Sequence, residues 1–352
     1  VILHRAPIVC AVAPKRRIVA ITPVCEPGGA EIHLLRLLAA LKQRGWQITL
    51  TTPGLGTIRD RALQAGYRWQ PLPLGGLERR AGVRAIRSWP AARRLAGGSD
   101  VIYLCGGVCG RLLPALAPGS ARRVLHIHDM VDRVPRIWRR ADTVLADSIA
   151  VADRLQGLTP HVVYGPVDPN PPPVEAPWPP GQTPVIGFVG RIEPRKGPLD
   201  LVRAAPIIRR RLPRARIVVV GDDPYRADPS YTHAVMTSPD VEHYPWTDDA
   251  PGLMRHLDVL VLPSRQEPFG TVLAEAMAVG TPVVASRVDG LPEVVRDGIT
   301  GRLVAPDNPA ALADAVLEVL AHRAQMSTAA REHGMTFAIK DYADHVERLI
   351  SP

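Results

Sequence analysis

The chain has 352 residues, a hydrophobic fraction of 46% and a net charge of +9. That length suits two domains of ordinary size, and the apolar fraction fills two cores. No apolar run approaches the roughly 18 residues that cross a bilayer, which excludes membrane-spanning helices, and a chain with only three Phe and no Gly/aromatic signature argues against RNA binding.

The charge is uneven. Residues 1–180 hold 24 Lys+Arg against 12 Asp+Glu, a balance of +12, and residues 181–352 carry −3. Glu78-Arg79-Arg80, Arg93-Arg94, Arg122-Arg123 and Arg139-Arg140 supply much of the excess. A basic half can attract anionic lipid or an anionic acceptor, or can be no more than a solvated surface. Ile8 to Ala13 is short for a signal segment and runs into Pro14-Lys15-Arg16-Arg17, so the expected location is cytoplasmic. Cys10, Cys25, Cys105 and Cys109 lack a zinc pattern and read as free thiols of a reducing compartment.

From the N-terminus, Ile18–Thr22 reads as a strand. Pro27-Gly28-Gly29-Ala30-Glu31 then opens a helix over 30–44 whose buried stripe is Leu34, Leu37, Leu38 and Leu41, and Gly45 ends it. Two glycines at a helix start let backbone approach an anion, although the third glycine of a dinucleotide fingerprint is missing. Strands follow at Ile48–Thr52, Val101–Leu104 and Val124–Ile127. The last ends in His126-Ile127-His128-Asp129, where alternation puts both histidines on one face and His128 nearer the strand end. No Asp-x-Asp pair occurs and the histidines lack a partner motif, so no metal is expected. Ser148 reads as the N-cap of a helix over 149–155, not as a nucleophile.

Prolines at 166, 169, 171–173, 177, 179, 180 and 184 interrupt the strand–helix rhythm and mark a stiff linker. The alternation restarts with strands at 185–189, 217–220, 259–262 and 282–285, and helices at 198–211 (bent at Pro206), 271–279, 309–321 and 336–350. Strands alternating with helices predict βαβ units and parallel sheets.

Two loops of this second half carry chemistry. Gly190-Arg191-Ile192-Glu193-Pro194-Arg195-Lys196-Gly197 follows a strand, where ligands bind in open α/β sheets. The Arg191 fork can clamp phosphate and Lys196 adds a point charge. Glu267-Pro268-Phe269-Gly270-Thr271 leads into a helix that contains Glu275. The amides of Phe269, Gly270 and Thr271 form an anion-binding helix end, and Glu275, one turn in, can take the hydroxyls of a ribose. Two acids around a phosphate cradle suit a nucleotide that carries a polyhydroxylated group.

These residues resemble glycosyltransferase family 4, the retaining GT-B enzymes. The resemblance rests on Gly-Gly-Ala-Glu at 28–31, His128-Asp129, Gly190-Arg191 with Lys196-Gly197, the Glu267/Glu275 pair, Gly290-Leu291-Pro292-Glu293-Val294-Val295 and Gly298-Ile299-Thr300-Gly301. It implies an α/β GT-B fold of two Rossmann-like domains facing across a cleft. The acceptor domain would be 1–168, the linker 169–183, the donor domain 184–335, and a helix over 336–352 would cross back to the first domain. It implies transfer of a sugar from a nucleoside diphosphate sugar, most often UDP-linked, to an acceptor hydroxyl, with retention and without metal or cofactor. Arg191 and Lys196 would hold the diphosphate, Glu275 the ribose and Glu267 the sugar. Phe269, Gly270 and Thr271 would meet sugar or phosphate, Gly28 and Gly29 would approach the diphosphate, and His128 would sit by sugar and acceptor. Tyr244-Pro245-Trp246 would lie near the base. The chain departs from the family at Asp222-Asp223 and at Gly165-Pro166. The acceptor is left open, lipid-linked or anionic among the options, with peripheral membrane contact through the basic half and no nucleic acid. A nucleotide-sugar epimerase, a phosphorylase and a non-catalytic sugar-nucleotide binder are the other readings.

Overall fold

The computed structural model describes residues 16–74, 81–117, 119–179, 181, 183–226 and 228–351. The Ile8–Ala13 run, Cys10, Glu78-Arg79-Arg80 and Pro180 lie outside them.

Near-continuous apolar runs form strands buried on both faces, as parallel sheets covered by helices require. The first sheet contains β1 (Arg17–Ile21), β2 (Gln47–Thr52), β3 (Arg68–Pro71), β4 (Val101–Cys105), β5 (Arg122–Ile127), β6 (Thr143–Ala146) and β7 (Pro160–Val162), in the order β3-β2-β1-β4-β5-β6-β7. The second contains β8 (Val185–Val189), β9 (Arg216–Val220), β10 (Glu242–Tyr244), β11 (Val259–Leu262), β12 (Val283–Ser286) and β13 (Gly301–Val304), in the order β10-β9-β8-β11-β12-β13. Every pairing is parallel. Each sheet is wound outward from a switch point, β1/β4 in one and β8/β11 in the other. Such points open a crevice at the C-terminal strand ends.

The Gly29–Gln43 helix lays Leu34, Leu37, Leu38 and Leu41 onto the first sheet. The same cluster takes Tyr342, Ala343, Val346 and Ile350 from the Ile339–Ile350 helix, so this late segment completes the first core. Ser148 accepts the Val151 N–H and caps the Ile149–Arg154 helix. The Pro198–Arg211 helix runs through Pro206. A helix over Arg323–Gly334 and the short strands β3, β6, β7, β10 and β13 add to the elements read from sequence.

One expected element is divided. The helix predicted over 336–350 is a 3-10 turn at Met335–Phe337, an extended Ala338 (φ −59°, ψ 141°) and the Ile339–Ile350 helix. The break has a backbone cause. Val167 donates its N–H to Phe337 O at 2.9 Å and accepts from Ile339 N at 2.9 Å. The two segments that pass between the sheets are stitched together at Val167 and Ala338. No helix among the described residues is long and apolar enough to cross a membrane.

Candidate functional site

The loops after β8 and β11 flank the switch point of the second sheet and are tied to each other. Arg265 N–H donates to Arg195 O at 2.8 Å, and the Arg195 guanidinium returns a bond to Gln266 O at 3.2 Å. These contacts bring Lys196 Nζ onto Glu267 Oε2. Both side chains are largely buried, and Ser264 Oγ donates to the same carboxylate at 3.4 Å. Burial pushes the Lys196 ammonium below its ordinary range, and the Glu267 carboxylate works against that shift. The Glu267 backbone is fixed as well, since its N–H donates to Asp289 Oδ2 at 2.9 Å.

Arg191 leaves the same β8 loop into a more open position. Its guanidinium is 3.3 Å from Glu193 and lies over the Tyr225 ring at 5.2 Å, with 37% of the side chain exposed. Gly270 caps the Thr271–Ala278 helix from the left-handed region, φ 86°. A Cβ there would add backbone strain and meet Leu291 Cδ2 at 2.5 Å. Phe269 is buried against Tyr164, ring centroids 5.8 Å apart.

In the first sheet, Gly28 N–H donates to Glu31 Oε2 at 2.9 Å, and Thr22 Oγ1 donates to Glu31 Oε1 at 3.2 Å. The helix start is thereby closed by its own glutamate, while a side chain at Gly29 would meet nothing within 4 Å. At the end of β6, Asp147 sits among three histidines. His128 Nδ1 donates to its Oδ2 at 2.8 Å, His126 Nε2 lies 2.8 Å from Oδ1, and His33 Nδ1 is 3.9 Å from Oδ2. Tyr103 OH bonds His126 Nδ1 at 2.6 Å, and Cys105 Sγ is 3.5 Å from His128 Nε2.

The cluster divides its histidines by charge. Burial pushes His126 down to about 4, with the adjacent His128 adding to the shift against Asp147. Burial also disfavours a charged His128, yet the Asp147 carboxylate, then Glu31 and Asp129, hold it above the usual imidazole range. For Asp147, burial is outweighed by His128 and His126, and its carboxyl is held well below the ordinary range. His128 is thus biased to imidazolium and His126 to the neutral ring.

The two sheets meet through named contacts. His33 Nε2 and Thr271 Oγ1 are hydrogen-bonded at 2.8 Å, and Arg36 Nη2 donates to Glu275 Oε1 at 2.7 Å. Glu293 accepts the N–H groups of Ile149 and Ala150 at 2.7 and 2.8 Å. Arg61 reaches Asp248 at 2.7 Å.

The structure therefore brings Lys196, Glu267, Gly270, Thr271 and Glu275 into one patch, with Phe269 buried behind it. His128 is linked to that patch through His33. Lys196 touches Glu267 directly. Arg191 points to its own loop partner Glu193 and to Tyr225. Trp246 is exposed, and its N–H is held by Asp222 at 2.9 Å, so one residue of the departing Asp222-Asp223 pair braces that loop. His33, Arg36 and Asp147 were not singled out from sequence. Asp147 had a visible signal, a carboxylate directly after an apolar strand. His33 and Arg36 had none, being polar residues on a helix read for its leucines. His33, His128 and Asp147 also offer ligand atoms within 4.8 Å of one another, a spacing a cation could use, although His128 and Asp147 already satisfy each other by a hydrogen bond. Cys25, Cys105 and Cys109 are free thiols, the last two buried.

Residues 27–171 match the family described as Glycosyltransferase Family 4, and residues 183–322 match the one described as Glycosyl transferases group 1. The chain is 36% identical over 171 residues to a D-inositol 3-phosphate glycosyltransferase of Corynebacterium glutamicum, a match covering 45% of this chain and 41% of that protein. Its counterpart in Mycobacterium bovis is 40% identical over 177 residues, 46% of this chain and 35% of that one. The match thus spans less than half of each relative's length. Among solved structures, HepE of Anabaena in complex with UDP and glucose aligns at a TM-score of 0.81 and 21% identity, covering 95% of this chain and 99% of the other. Sucrose-phosphate synthase of Thermosynechococcus elongatus aligns at 0.77 and 22%, covering 95% and 98%. With both halves matched in sequence and the two-sheet GT-B architecture matched nearly end to end, the chain belongs to the family 4 type of glycosyltransferases.

Proposed function

We propose that the chain is a retaining, metal-independent glycosyltransferase that moves a sugar from a nucleoside diphosphate sugar to an acceptor hydroxyl. The observation that carries this reading is the buried Lys196–Glu267 pair beside the Gly270–Thr271 helix end. The Lys196 ammonium, held in place by Glu267, and the helix-end amides can oppose the negative charge that a leaving diphosphate gains, a term that is often large in such reactions. Arg191 and His128 add to that field. Glu267, held by Lys196 and Asp289, is rigid enough to orient sugar hydroxyls, and Glu275 is assigned to the ribose. The bond from the anomeric carbon to the diphosphate breaks, the acceptor oxygen bonds on the same face, and its proton passes to the leaving phosphate. The second sheet is the donor domain and the first the acceptor domain in this scheme. UDP is the leading nucleotide, because HepE was solved with UDP and glucose. The +12 balance of residues 1–180 suits an anionic or lipid-linked acceptor and peripheral contact with a membrane.

The test is thermal stabilisation by UDP-, GDP-, ADP- and dTDP-sugars, followed by product analysis with and without acceptors, in EDTA. Stabilisation by one donor and chelator-insensitive transfer with retained anomeric configuration are expected. Conversion of donor without acceptor would replace transfer by epimerisation. An inverted product, or activity abolished by EDTA and restored by a divalent ion, would overturn retention or metal independence. For Arg191→Ala, the loss of charge-assisted hydrogen bonds at about 1.5–3 kcal/mol each predicts a fall in kcat/KM of about 10- to 150-fold. Unchanged transfer kinetics would remove Arg191 from the diphosphate site.

A further inference from the structure

The Arg36–Glu275 contact joins a residue of the first domain to the carboxylate assigned to the ribose. Arg36 lies on the Gly29–Gln43 helix and Glu275 on the Thr271–Ala278 helix. The guanidinium uses both arms. Nη2 donates to Glu275 Oε1 at 2.7 Å, and Nη1 donates to Pro166 O at 2.8 Å. Pro166 directly precedes Val167, where the two connecting segments are stitched together. One turn earlier on the same helix, His33 bonds Thr271, and Thr271 stands four residues before Glu275. One face of a first-domain helix thus holds one face of the donor helix at two points. Both partly buried side chains of the ion pair are shielded, with 20% of Arg36 and 12% of Glu275 exposed.

We propose that Arg36 is a positioning residue for donor recognition. It fixes the Glu275 carboxylate through one oxygen and leaves the other to accept from the ribose hydroxyls. A free glutamate samples several rotamers and must be ordered on binding, which weakens the affinity. A glutamate already held by a guanidinium that is itself anchored on a backbone carbonyl avoids that cost. The fork geometry of arginine matters here, since its two arms meet Glu275 and Pro166 O from separate nitrogens, whereas a lysine would have to reach both from one. The arrangement also makes ribose recognition depend on the juxtaposition of the two domains, because the carboxylate and its clamp come from different ones.

This inference rests on the ribose role of Glu275, and the test separates the two. Dissociation constants are measured for the ribo and 2′,3′-dideoxy forms of whichever of UDP, GDP and ADP the wild type binds best. The wild type should prefer the ribo form by roughly tenfold or more, the effect of hydrogen bonds to a charged group. Glu275→Ala should abolish that preference. Arg36→Ala should cut it at least threefold and leave affinity for the dideoxy form within about twofold, and Arg36→Lys should restore only part of it. Equal weakening of both forms in Arg36→Ala would show a general packing role and overturn the proposal. So would a ribo preference that survives in Arg36→Ala but is lost in Glu275→Ala. A preference that survives in Glu275→Ala, or is missing in the wild type, would overturn the ribose assignment and the proposal with it.

Discussion

Replacing Lys196 by alanine is expected to lower kcat/KM by about 10²–10³-fold, the range seen when one preorganised stabiliser of developing negative charge is removed. The effect should exceed that at Arg191 because the two cations differ in surroundings. Arg191 is 37% exposed and shares its charge with Glu193 and solvent, whereas Lys196 is 16% exposed and pressed onto Glu267. Charges act more strongly where water is excluded. The substitution also leaves the Glu267 carboxylate buried without its cation, and breaking a buried pair from one side typically destabilises by about 3–5 kcal/mol. Glu267→Gln breaks the same pair from the other side, removing the carboxylate charge while keeping the shape. Steady-state rates of Lys196→Ala, Lys196→Arg and Glu267→Gln, with unfolding curves for each, decide the matter. A folded Lys196→Ala enzyme within fivefold of wild type would remove the pair from the mechanism.

The second large effect is on stability. Asp147→Ala removes the acceptor shared by His126 and His128 and the charge that holds His128 protonated, and leaves buried ring N–H groups without a partner. The loss of two buried hydrogen bonds to a charged group predicts a drop of about 3–6 kcal/mol, against a total stability of about 5–15 kcal/mol. Urea unfolding at neutral pH measures it, and a change below 1 kcal/mol would show that the cluster is not a stability element. The histidines give a pH signature of opposite signs. The folded chain keeps His126 neutral down to about 4, while the unfolded chain protonates near 6.5, so stability falls as pH drops between those values. At 1.36 kcal/mol per unit, the His126 contribution amounts to about 3 kcal/mol across that window. His128 is raised, so its contribution is complete below pH 6.5 and is lost as pH climbs through its folded value. The depressed Asp147 contributes above 3.8 and is lost as pH falls through its lower folded value. In His126→Gln the slope of stability between pH 4 and 6.5 should flatten. An unchanged slope would assign the acid sensitivity to other groups.

Much of the fold is legible in the sequence because buried parallel strands and leucine stripes announce themselves within a few residues. Ile18–Thr22, Val185–Val189 and Val259–Leu262 are continuous apolar runs, and Leu34, Leu37, Leu38 and Leu41 repeat at helical spacing. The strands that escape are short: β3 and β10 are also little buried, whereas β6 is fully buried but only four residues long. The split at Ala338 escapes for a different reason, since it is imposed by Val167 from 171 positions away. The site divides in the same way. Glu267 and Glu275 stand out by local spacing, and Lys196 by its loop. Their partners do not: Arg36 finds Glu275 across 239 positions, and Asp147 finds His33 only once the sheet is assembled. Glu293 shows the limit best. A local motif places it in the chain, but only the folded structure reveals that it accepts the amides of Ile149 and Ala150 in the other domain.

The Ile339–Ile350 helix also governs when the first domain can finish folding. Leu34, Leu38 and Leu41 share their core with Tyr342, Val346 and Ile350. On the ribosome, the late residues of that core follow its helix-borne leucines by about 300 residues, which at about 5–20 residues per second is roughly 15 to 60 seconds. The first sheet therefore emerges with one apolar flank uncovered, and the second domain is synthesised in full before the cover arrives. Synthesis order and core completion are uncoupled in this chain: the first core can be completed only after the second domain has been made.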